Sequence, residues 1–405
     1  MMHKNVIIGS GFSSLGAILG LEKKKEKFLI ITGKVKPLKK NKNLINLPSR
    51  NFDKYKKNIY QSIKNNKLSV NIKNNFISYL GLGGLSNLWG KIFNLDITGN
   101  NKIKNELIKT LKLENHTKID THKNLRLYKA NEQNINLKKK FKNLDKKKFF
   151  FINSTVDNIK FDIENQIFNI HLVNNKIIKT RKLYLATGIF STLKLLNSIN
   201  KKIFQKNIRL NHSNMCYGLF FVKKNEIFKN LGHEFIYFSC NKKKFAGRIS
   251  ILNKKIIKKY NLNFFFYILM KLDNFFGIKI FLLNVLYKRP KNSTIIYFKN
   301  DIVKVKINND VEIKEISNKL KKVFHESLNV KGLILKKTLV GSDFHYSCDI
   351  RNNLNMNIAK KFYKNLFILD NSISTKHKYF PTFQMIYESF YRAKYNLSLK
   401  KMIKK

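Results

Sequence analysis

Six residues near the N-terminus have the types and spacing of a phosphate-binding turn. An apolar run at residues 6–8 precedes them, and a helical apolar pattern follows them. Glycine permits a tight turn and lets the backbone approach a pyrophosphate, and the start of a helix offers N–H groups and a positive dipole end to that anion. The alternative is a glycine-rich turn without a ligand. The six residues are Gly9, Ser10, Gly11, Phe12, Ser13 and Ser14.

A second glycine-rich segment, GLGGLSNLWG, occupies residues 81–90. Glycines there would allow a ligand to approach the backbone, the serine and asparagine offer hydrogen bonds, and the indole of the only tryptophan offers a flat surface. A structural loop is the alternative interpretation. The residues that would contact the ligand are Gly83, Gly84, Ser86, Asn87 and Trp89.

The C-terminal part of the chain contains a candidate acid–base residue, His345, in the segment GSDFHYSCDI (341–350). An imidazole titrates near neutral pH, so it can accept or donate a proton in catalysis. A structural histidine is the alternative. A second histidine, His212, is interpreted as structural.

The elements that position these residues follow from the apolar pattern. Residues 5–33 read as strand, turn, helix and strand, which is a βαβ unit with parallel strands. Residues 149–188 read as an antiparallel meander that returns to a sheet strand at residues 183–186, residues 365–370 as a last strand, and residues 384–394 as a helix. The second strand ends at Thr32 without the carboxylate that usually binds a ribose. Thr32 could donate a weaker hydrogen bond there; either affinity for the ribose is lost or the ribose is held elsewhere.

Together these motifs resemble the glucose-methanol-choline (GMC) family of FAD-dependent oxidoreductases. KLYLATGIFSTLKLLNSI (182–199) resembles the family's Ala-x-Gly strand end, and NLFILDNSISTKHKYFPTFQMIYESFYRA (365–393) resembles its closing motif. The resemblance implies an FAD cofactor and a catalytic base, His345, that accepts the hydroxyl proton of the substrate. It implies further contacts to the dinucleotide from Val156, Ala186, Thr187, Gly188, Asp370, Thr382 and Phe383.

One position departs from the family pattern. Where the family usually has a histidine or asparagine before a proline, this chain has Phe380 before Pro381. A phenylalanine cannot hydrogen-bond a substrate hydroxyl, and His377 is a conjectural substitute. The departure keeps a second hypothesis open, that of a flavin-binding protein that has lost alcohol oxidation.

The fold predicted from these motifs is α/β: a Rossmann-type FAD/NAD(P)-binding domain, GMC-like, with a second substrate domain that contains an antiparallel sheet. We assign 1–100, 149–215 and 340–405 to the FAD-binding domain, and 101–148 and 216–339 to the substrate or cap domain. The expected reaction is hydride transfer to flavin from a small alcohol or a sugar derivative, the latter in surface-glycan metabolism. The electron acceptor is not predicted.

The charge and composition of the chain indicate which partners and which location to expect. The chain has 81 Lys and Arg against 24 Asp and Glu, a formal charge of +57 over 405 residues. The lysines are spread through every segment, which favours a genome-wide drift toward AT-rich codons over a dedicated nucleic-acid interface. A basic membrane-surface or nucleic-acid binder remains a third hypothesis. Three separated cysteines match neither a disulfide framework nor a zinc site, and the N-terminal apolar run reads as strand and helix, so a cytoplasmic location is expected. The apolar stretch 262–287 reads as a core segment or as a peripheral contact with the inner face of a membrane.

Overall fold

The computed structural model assigns the described part of the chain to eighteen strands and nine helices. It describes residues 2–22, 24–33, 93, 95, 97, 99–114, 117–119, 125–130, 135–223, 235–240, 245–254, 257, 264–288, 293–299, 301–308, 313–337, 346–374 and 382–403. The strands are β1 (Met2–Ile8), β2 (Phe28–Thr32), β3 (Thr117–Ile119), β4 (Leu125–Ala130), β5 (Phe149–Asn153), β6 (Val156–Asp162), β7 (Ile167–Leu172), β8 (Ile177–Leu185), β9 (Ile208–Arg209), β10 (Asn211–Lys223), β11 (Phe235–Cys240), β12 (Phe245–Ile251), β13 (Ile278–Lys288), β14 (Thr294–Lys299), β15 (Ile302–Ile307), β16 (Val330–Lys337), β17 (Tyr346–Ser347) and β18 (Leu366–Ile368). The helices are α1 (Phe12–Leu21), α2 (Asn101–Leu111), α3 (Leu137–Lys142), α4 (Ile189–Ile199), α5 (Phe264–Phe276), α6 (Ile313–Leu328), α7 (Met356–Ala359), α8 (Thr382–Lys394) and α9 (Leu399–Ile403).

A largely parallel sheet carries the predicted βαβ unit. Its order is β5-β2-β1-β8, and the far side of β8 pairs with β7 along its first half and with β18 along its second half. β1, β2, β5, the second half of β8 and β18 all run parallel. Residues 6–8 of β1 and all of β2 are buried on both faces, which explains why they read as continuous apolar runs. The predicted fold class, an α/β protein with a parallel sheet and a separate antiparallel sheet, is confirmed.

The region from residue 149 to residue 188 differs from the prediction at its start. β6, β7 and β8 form the expected antiparallel meander, but β5 pairs in parallel with β2 and forms the edge of the sheet instead of joining the meander. The pairing gives Phe28 a stacked aromatic partner in Phe149, with ring centroids 5.8 Å apart. Parallel pairing depends on contacts more than 100 residues apart, which a local apolar pattern does not encode.

Helices cover both faces of the parallel sheet. α1 packs against α8, and the approach is so close that a Cβ on Gly16 would lie 2.3 Å from the carbonyl oxygen of Ile386. The core on this side also contains Ile103 and Leu107 of α2 and Phe141 of α3. α4 and α9 contribute to the core on the opposite face. The contact between α1 and α8 brings the two helix starts to the same end of the sheet.

The second large sheet is antiparallel, in the order β16-β10-β13-β12-β11-β4-β3, and β17 pairs with the start of β10. Helix α6 covers one face: Phe324 packs edge-on against Phe220 and Phe238, with ring centroids 5.5 and 5.2 Å away. A third sheet of β15, β14 and β9 packs on the same core as the meander.

The apolar stretch 262–287 divides into α5 and β13, which is an inner strand of the antiparallel sheet. One side of α5 packs over Leu252 and Ile280, whereas Phe264, Phe265 and Ile268 are 76%, 55% and 43% exposed. Within the described residues, no helix is both long and apolar enough to cross a membrane.

Candidate functional site

The predicted phosphate-binding turn lies at the carboxyl end of β1, a strand whose two neighbours in the sheet are reached by different connections of the chain. β1 continues through α1 to β2 on one side, while β8 lies on its other side. The Gly9 N–H donates to the Ile31 carbonyl (2.9 Å), and the Ala186 N–H donates to the Ile8 carbonyl (2.9 Å). Ligands of open α/β sheets bind in the crevice at the carboxyl ends of strands at such a switch point. The turn therefore stands at the position in this fold where a dinucleotide is expected.

Gly9 is a glycine for two reasons that the geometry makes explicit. Its φ of +119° is strained for residues with a side chain, and a Cβ would lie 2.2 Å from the carbonyl oxygen of Ala186. A side chain at this position would separate the ends of β1 and β8. The first predicted glycine thus keeps the turn against the Ala186–Gly188 segment, which the sequence also assigned to the site.

The start of α1 suits an anion. Gly11 is the N-cap residue, no side chain caps the helix, and no acidic residue lies in its first turn. The N–H groups of the first turn have no carbonyl partner within a helix. Ser13 and Ser14 are buried there, and the Ser14 hydroxyl has no hydrogen-bond partner among the described residues. Uncapped amides and a buried free hydroxyl beside the tight Gly9 turn fit the diphosphate of a dinucleotide such as FAD.

Asp370 anchors the second turn of the site. It follows β18, is 1% exposed, and accepts four hydrogen bonds. Oδ2 accepts from the Gly188 N–H (2.9 Å) and the Thr192 hydroxyl (2.5 Å), and Oδ1 accepts from the N–H and hydroxyl of Ser372 (3.0 and 2.6 Å). With these four sites filled, the carboxylate fixes the Gly188 turn and the start of α4.

Two further groups complete this buried network. The Thr192 hydroxyl has one proton and gives it to Asp370, so the Thr187 hydroxyl, 2.8 Å away, must donate to Thr192. Arg392 of α8 donates to the Asp370 carbonyl (3.0 Å) and to Glu388 (2.6 Å). Burial lowers the pKa of Arg392, and the charges of Glu388 and Asp370 oppose that shift. The network ties α4, β18 and α8 together at the carboxyl edge.

The start of α8 lies beside the start of α1. Thr382 and Phe383 are buried, and the Phe93 ring bridges Phe383 and Phe12, with centroids 6.1 and 5.9 Å away. The structure therefore brings the closing motif to the phosphate-binding turn.

The end of the second strand is arranged differently from the expectation. The Thr32 hydroxyl is fully buried and donates to Asn153 Oδ1 (2.6 Å), so its proton is not available to a ribose. Asn153, an exposed residue at the end of β5, stands at the same edge. Val156 begins β6 three residues later, half-buried against the core of the sheet.

Four site residues were not predicted from the sequence. Ser372 had a local signal, since it follows Asp370 in the strand-Asp-x-Ser pattern. Thr192, Arg392 and Asn153 had none, because they join the site through contacts between distant segments. His212 is held as a structural residue would be: Nδ1 contacts the Ser213 carbonyl (3.1 Å) and Nε2 contacts the Thr294 hydroxyl (2.9 Å).

Several predicted residues lie outside the part of the chain that the structure describes. These are Gly83, Gly84, Ser86, Asn87, Trp89, His345, His377, Phe380 and Pro381.

Comparison with known proteins supports the fold. No protein-family profile and no curated protein sequence matches the chain. Among solved structures, the chain is similar to pyridoxine 4-oxidase from Mesorbium loti, with a TM-score of 0.55, 10% sequence identity, and coverage of 97% of this chain and 99% of that one. At this identity the likeness concerns the fold, and it extends over nearly the whole of both chains.

Proposed function

We propose that this chain is an FAD-dependent oxidoreductase that oxidises a hydroxyl group of a small alcohol or sugar derivative. The observation that carries the proposal is the convergence of four elements at one switch point. The Gly9 turn, the uncapped start of α1, the Ala186–Gly188 turn and the start of α8 all meet at the carboxyl edge of the parallel sheet. The likeness in fold to a pyridoxine oxidase supports the same reaction class.

Each part of the site would have a distinct role toward FAD. Gly9 to Ser14 would hold the diphosphate, Val156 would lie near the adenine, and Thr382 and Phe383 would lie near the flavin ring. Asp370 would act as a positioning residue through the Gly188 turn, because its acceptor sites are filled by the protein. Bound FAD supplies the acceptor for the hydride.

His345 is the proposed catalytic base, which removes the hydroxyl proton of the substrate. A segment from Gly83 to Trp89 would line the flavin beside it. Both assignments depend on the motifs in the sequence. The assignment of His345 is also supported by the position of Tyr346 and Ser347, because β17 leads directly into the loop in which the Cys348 N–H donates to the Asn371 carbonyl (2.9 Å).

We further propose two functional units that follow the packing. The FAD-binding unit comprises 1–100, 149–215 and 340–405, as the motifs suggested, and the substrate unit contains 216–339. Within 101–148, helices α2 and α3 pack in the core of the parallel sheet, whereas β3 and β4 belong to the antiparallel sheet. This packing favours placing α2 and α3 with the FAD-binding unit.

The test is anaerobic reduction of the purified protein by a panel of small alcohols and sugars, including sugars typical of surface glycans. We expect the flavin to bleach with at least one compound, and His345→Ala to keep the flavin while slowing reduction by about two to four orders of magnitude. Full flavin occupancy without reduction by any compound would favour the hypothesis of lost alcohol chemistry, for which Phe380 is the motivating residue. Unchanged turnover in His345→Ala would remove that residue from the mechanism.

A membrane contact through α5 is proposed from its exposed face. Phe264, Phe265 and Ile268 are exposed, and Lys271 lies on the same face at helical spacing. Apolar rings beside a lysine, on a chain of charge +57, suit the surface of an anionic bilayer. Co-sedimentation with phosphatidylserine vesicles should fall when Phe264 and Phe265 are changed to Ser, and equal sedimentation of both proteins would exclude this face as the contact.

A further inference from the structure

An exposed asparagine is held in a fixed orientation at the carboxyl edge of the parallel sheet. Asn153 ends β5, where the strand register pairs it with Thr32 at the end of β2. Asn153 is exposed, and its Oδ1 accepts a hydrogen bond from the buried Thr32 hydroxyl (2.6 Å). An asparagine side chain carries one oxygen and one NH₂ group, so fixing the oxygen also fixes the direction of the two N–H donors. The sheet therefore presents a neutral donor group at this edge.

The backbone that carries Asn153 is fixed on both sides. Before it, β5 pairs with β2 along the whole strand. After it, the Ser154 N–H donates to the Thr32 carbonyl (2.9 Å). The next carbonyl, that of Thr155, accepts from the Val173 N–H (3.0 Å) in the turn between β7 and β8. A group that is already ordered loses little further freedom when a ligand binds, so Asn153 has the preorganisation of a ligand-binding residue.

Asn153 lies one strand beyond the phosphate-binding turn. Only β2 separates the two, since the Gly9 N–H donates to the Ile31 carbonyl and the Ser154 N–H to the carbonyl that follows it. Two strand spacings place the ends of β1 and β5 about 10 Å apart. In a dinucleotide the adenosine ribose is joined directly to the diphosphate, and it is usually held at the end of the second strand. A diphosphate at Gly9 would therefore bring its ribose to the ends of β2 and β5.

The groups at this edge differ from the usual ribose site in charge and in polarity. The usual site carries a carboxylate, which accepts hydrogen bonds from the ribose hydroxyls. Neither β2 nor the segment 149–156 contains an acidic residue, and the Thr32 hydroxyl donates to Asn153. The Asn153 amide supplies N–H donors instead, and the oxygen of a ribose hydroxyl can accept from them.

We propose that Asn153 binds the adenosine ribose of FAD by donating from Nδ2 to a ribose hydroxyl oxygen, and that Thr32 is the positioning residue that orients the amide. The inference rests on the proposed function, because it assigns a residue of this chain to the cofactor of that reaction. It moves the ribose contact from β2 to β5. Because the hydrogen bond is neutral, the ribose contributes less to affinity than it would beside a carboxylate.

The experiment is calorimetric titration of the full-length chain, freed of its flavin, with ADP, 2′-deoxy-ADP and 3′-deoxy-ADP. We expect ADP to bind about 3- to 10-fold more tightly than at least one deoxy compound, which is the range of one neutral hydrogen bond. Asn153→Ala should bring this ratio to about 1 and leave the affinity for the weaker deoxy compound unchanged, because only the ribose contact is lost. Thr32→Val should lower the ratio, because the amide loses its anchor. Reloading the chain with FAD should abolish ADP binding, which locates ADP at the dinucleotide site.

Asp157→Asn is the matched control, because Asp157 is an exposed carboxylate four residues further along the chain, bonded to the Asn158 amide (2.9 Å). Its ratio should equal that of the wild type. A wild type without the preference for ADP, or an unchanged ratio in Asn153→Ala, would overturn the proposal. So would a ratio lost in Asp157→Asn instead, or ADP binding that persists beside bound FAD. An unchanged ratio in Thr32→Val would overturn the role of Thr32. A wild type that binds neither FAD nor ADP would refute flavin binding itself, so the two failures are distinguishable.

Discussion

Asp370→Asn tests the buried network at the carboxyl edge. The carboxylate accepts four hydrogen bonds, two on each oxygen, at 1% exposure. An asparagine keeps one oxygen and therefore two of those bonds, and it presents an NH₂ group to the other two donors. Hydrogen bonds to a buried charged group contribute about 1.5–3 kcal/mol each, and one of the facing hydroxyls can turn to accept from the amide. We expect the free energy of unfolding to fall by about 2–5 kcal/mol.

The assay is urea unfolding followed by circular dichroism, together with the flavin content of the purified variant. Flavin content should also fall, because the Gly188 turn loses its anchor. Asp301→Asn is the matched control: its carboxylate pairs with Lys201 at 2.7 Å, with side-chain exposures of 49% and 76%. An exposed pair of this kind contributes about 0–1 kcal/mol. The reasoning is refuted if Asp370→Asn is no more destabilising than Asp301→Asn.

Further predictions concern buried hydroxyl and thiol groups. Tyr184→Phe should leave the free energy of unfolding unchanged or raise it by up to about 1 kcal/mol, because the buried Tyr184 hydroxyl has no partner among the described residues. Tyr387→Phe should lower the free energy of unfolding by about 1 kcal/mol, because the Tyr387 hydroxyl accepts from the Asn100 N–H at 2.7 Å. Urea unfolding that finds Tyr184→Phe less stable than Tyr387→Phe would contradict both predictions. Burial raises the pKa of the Cys240 thiol to about 12 and that of Cys348 well above its usual range, so at pH 8 their thiolates are scarce. A thiol reagent should therefore label these two cysteines slowly in the native protein and rapidly in urea, and rapid native labelling would contradict the burial.

Local patterns accounted for much of the proposed FAD-binding unit. The strand β1, the glycine turn and the helix α1 are adjacent in the chain, so the apolar runs and the positions of Gly9 and Gly11 were sufficient to predict them. The Asp-x-Ser pattern at Asp370 was visible for the same reason. What these residues contact was not visible, because the Gly188 N–H and the Thr192 hydroxyl are about 180 residues away.

Features that depend on pairing between distant segments were missed. β5 pairs in parallel with β2, and the Thr32 hydroxyl donates to Asn153. Both contacts require the alignment of two strands that are 121 residues apart in the chain.

The measurement that tests the central claim most directly is the flavin content of Gly11→Val beside the wild type. Gly11 has φ −85° and ψ −165°, a conformation that valine adopts without strain, so the variant should fold. Its side chain would occupy the approach of the diphosphate to the start of α1. We predict that the wild type carries FAD, seen in its visible absorption and by extraction, and that a folded Gly11→Val variant carries none. A wild type that neither contains nor takes up FAD, or a variant with full occupancy, would contradict the account.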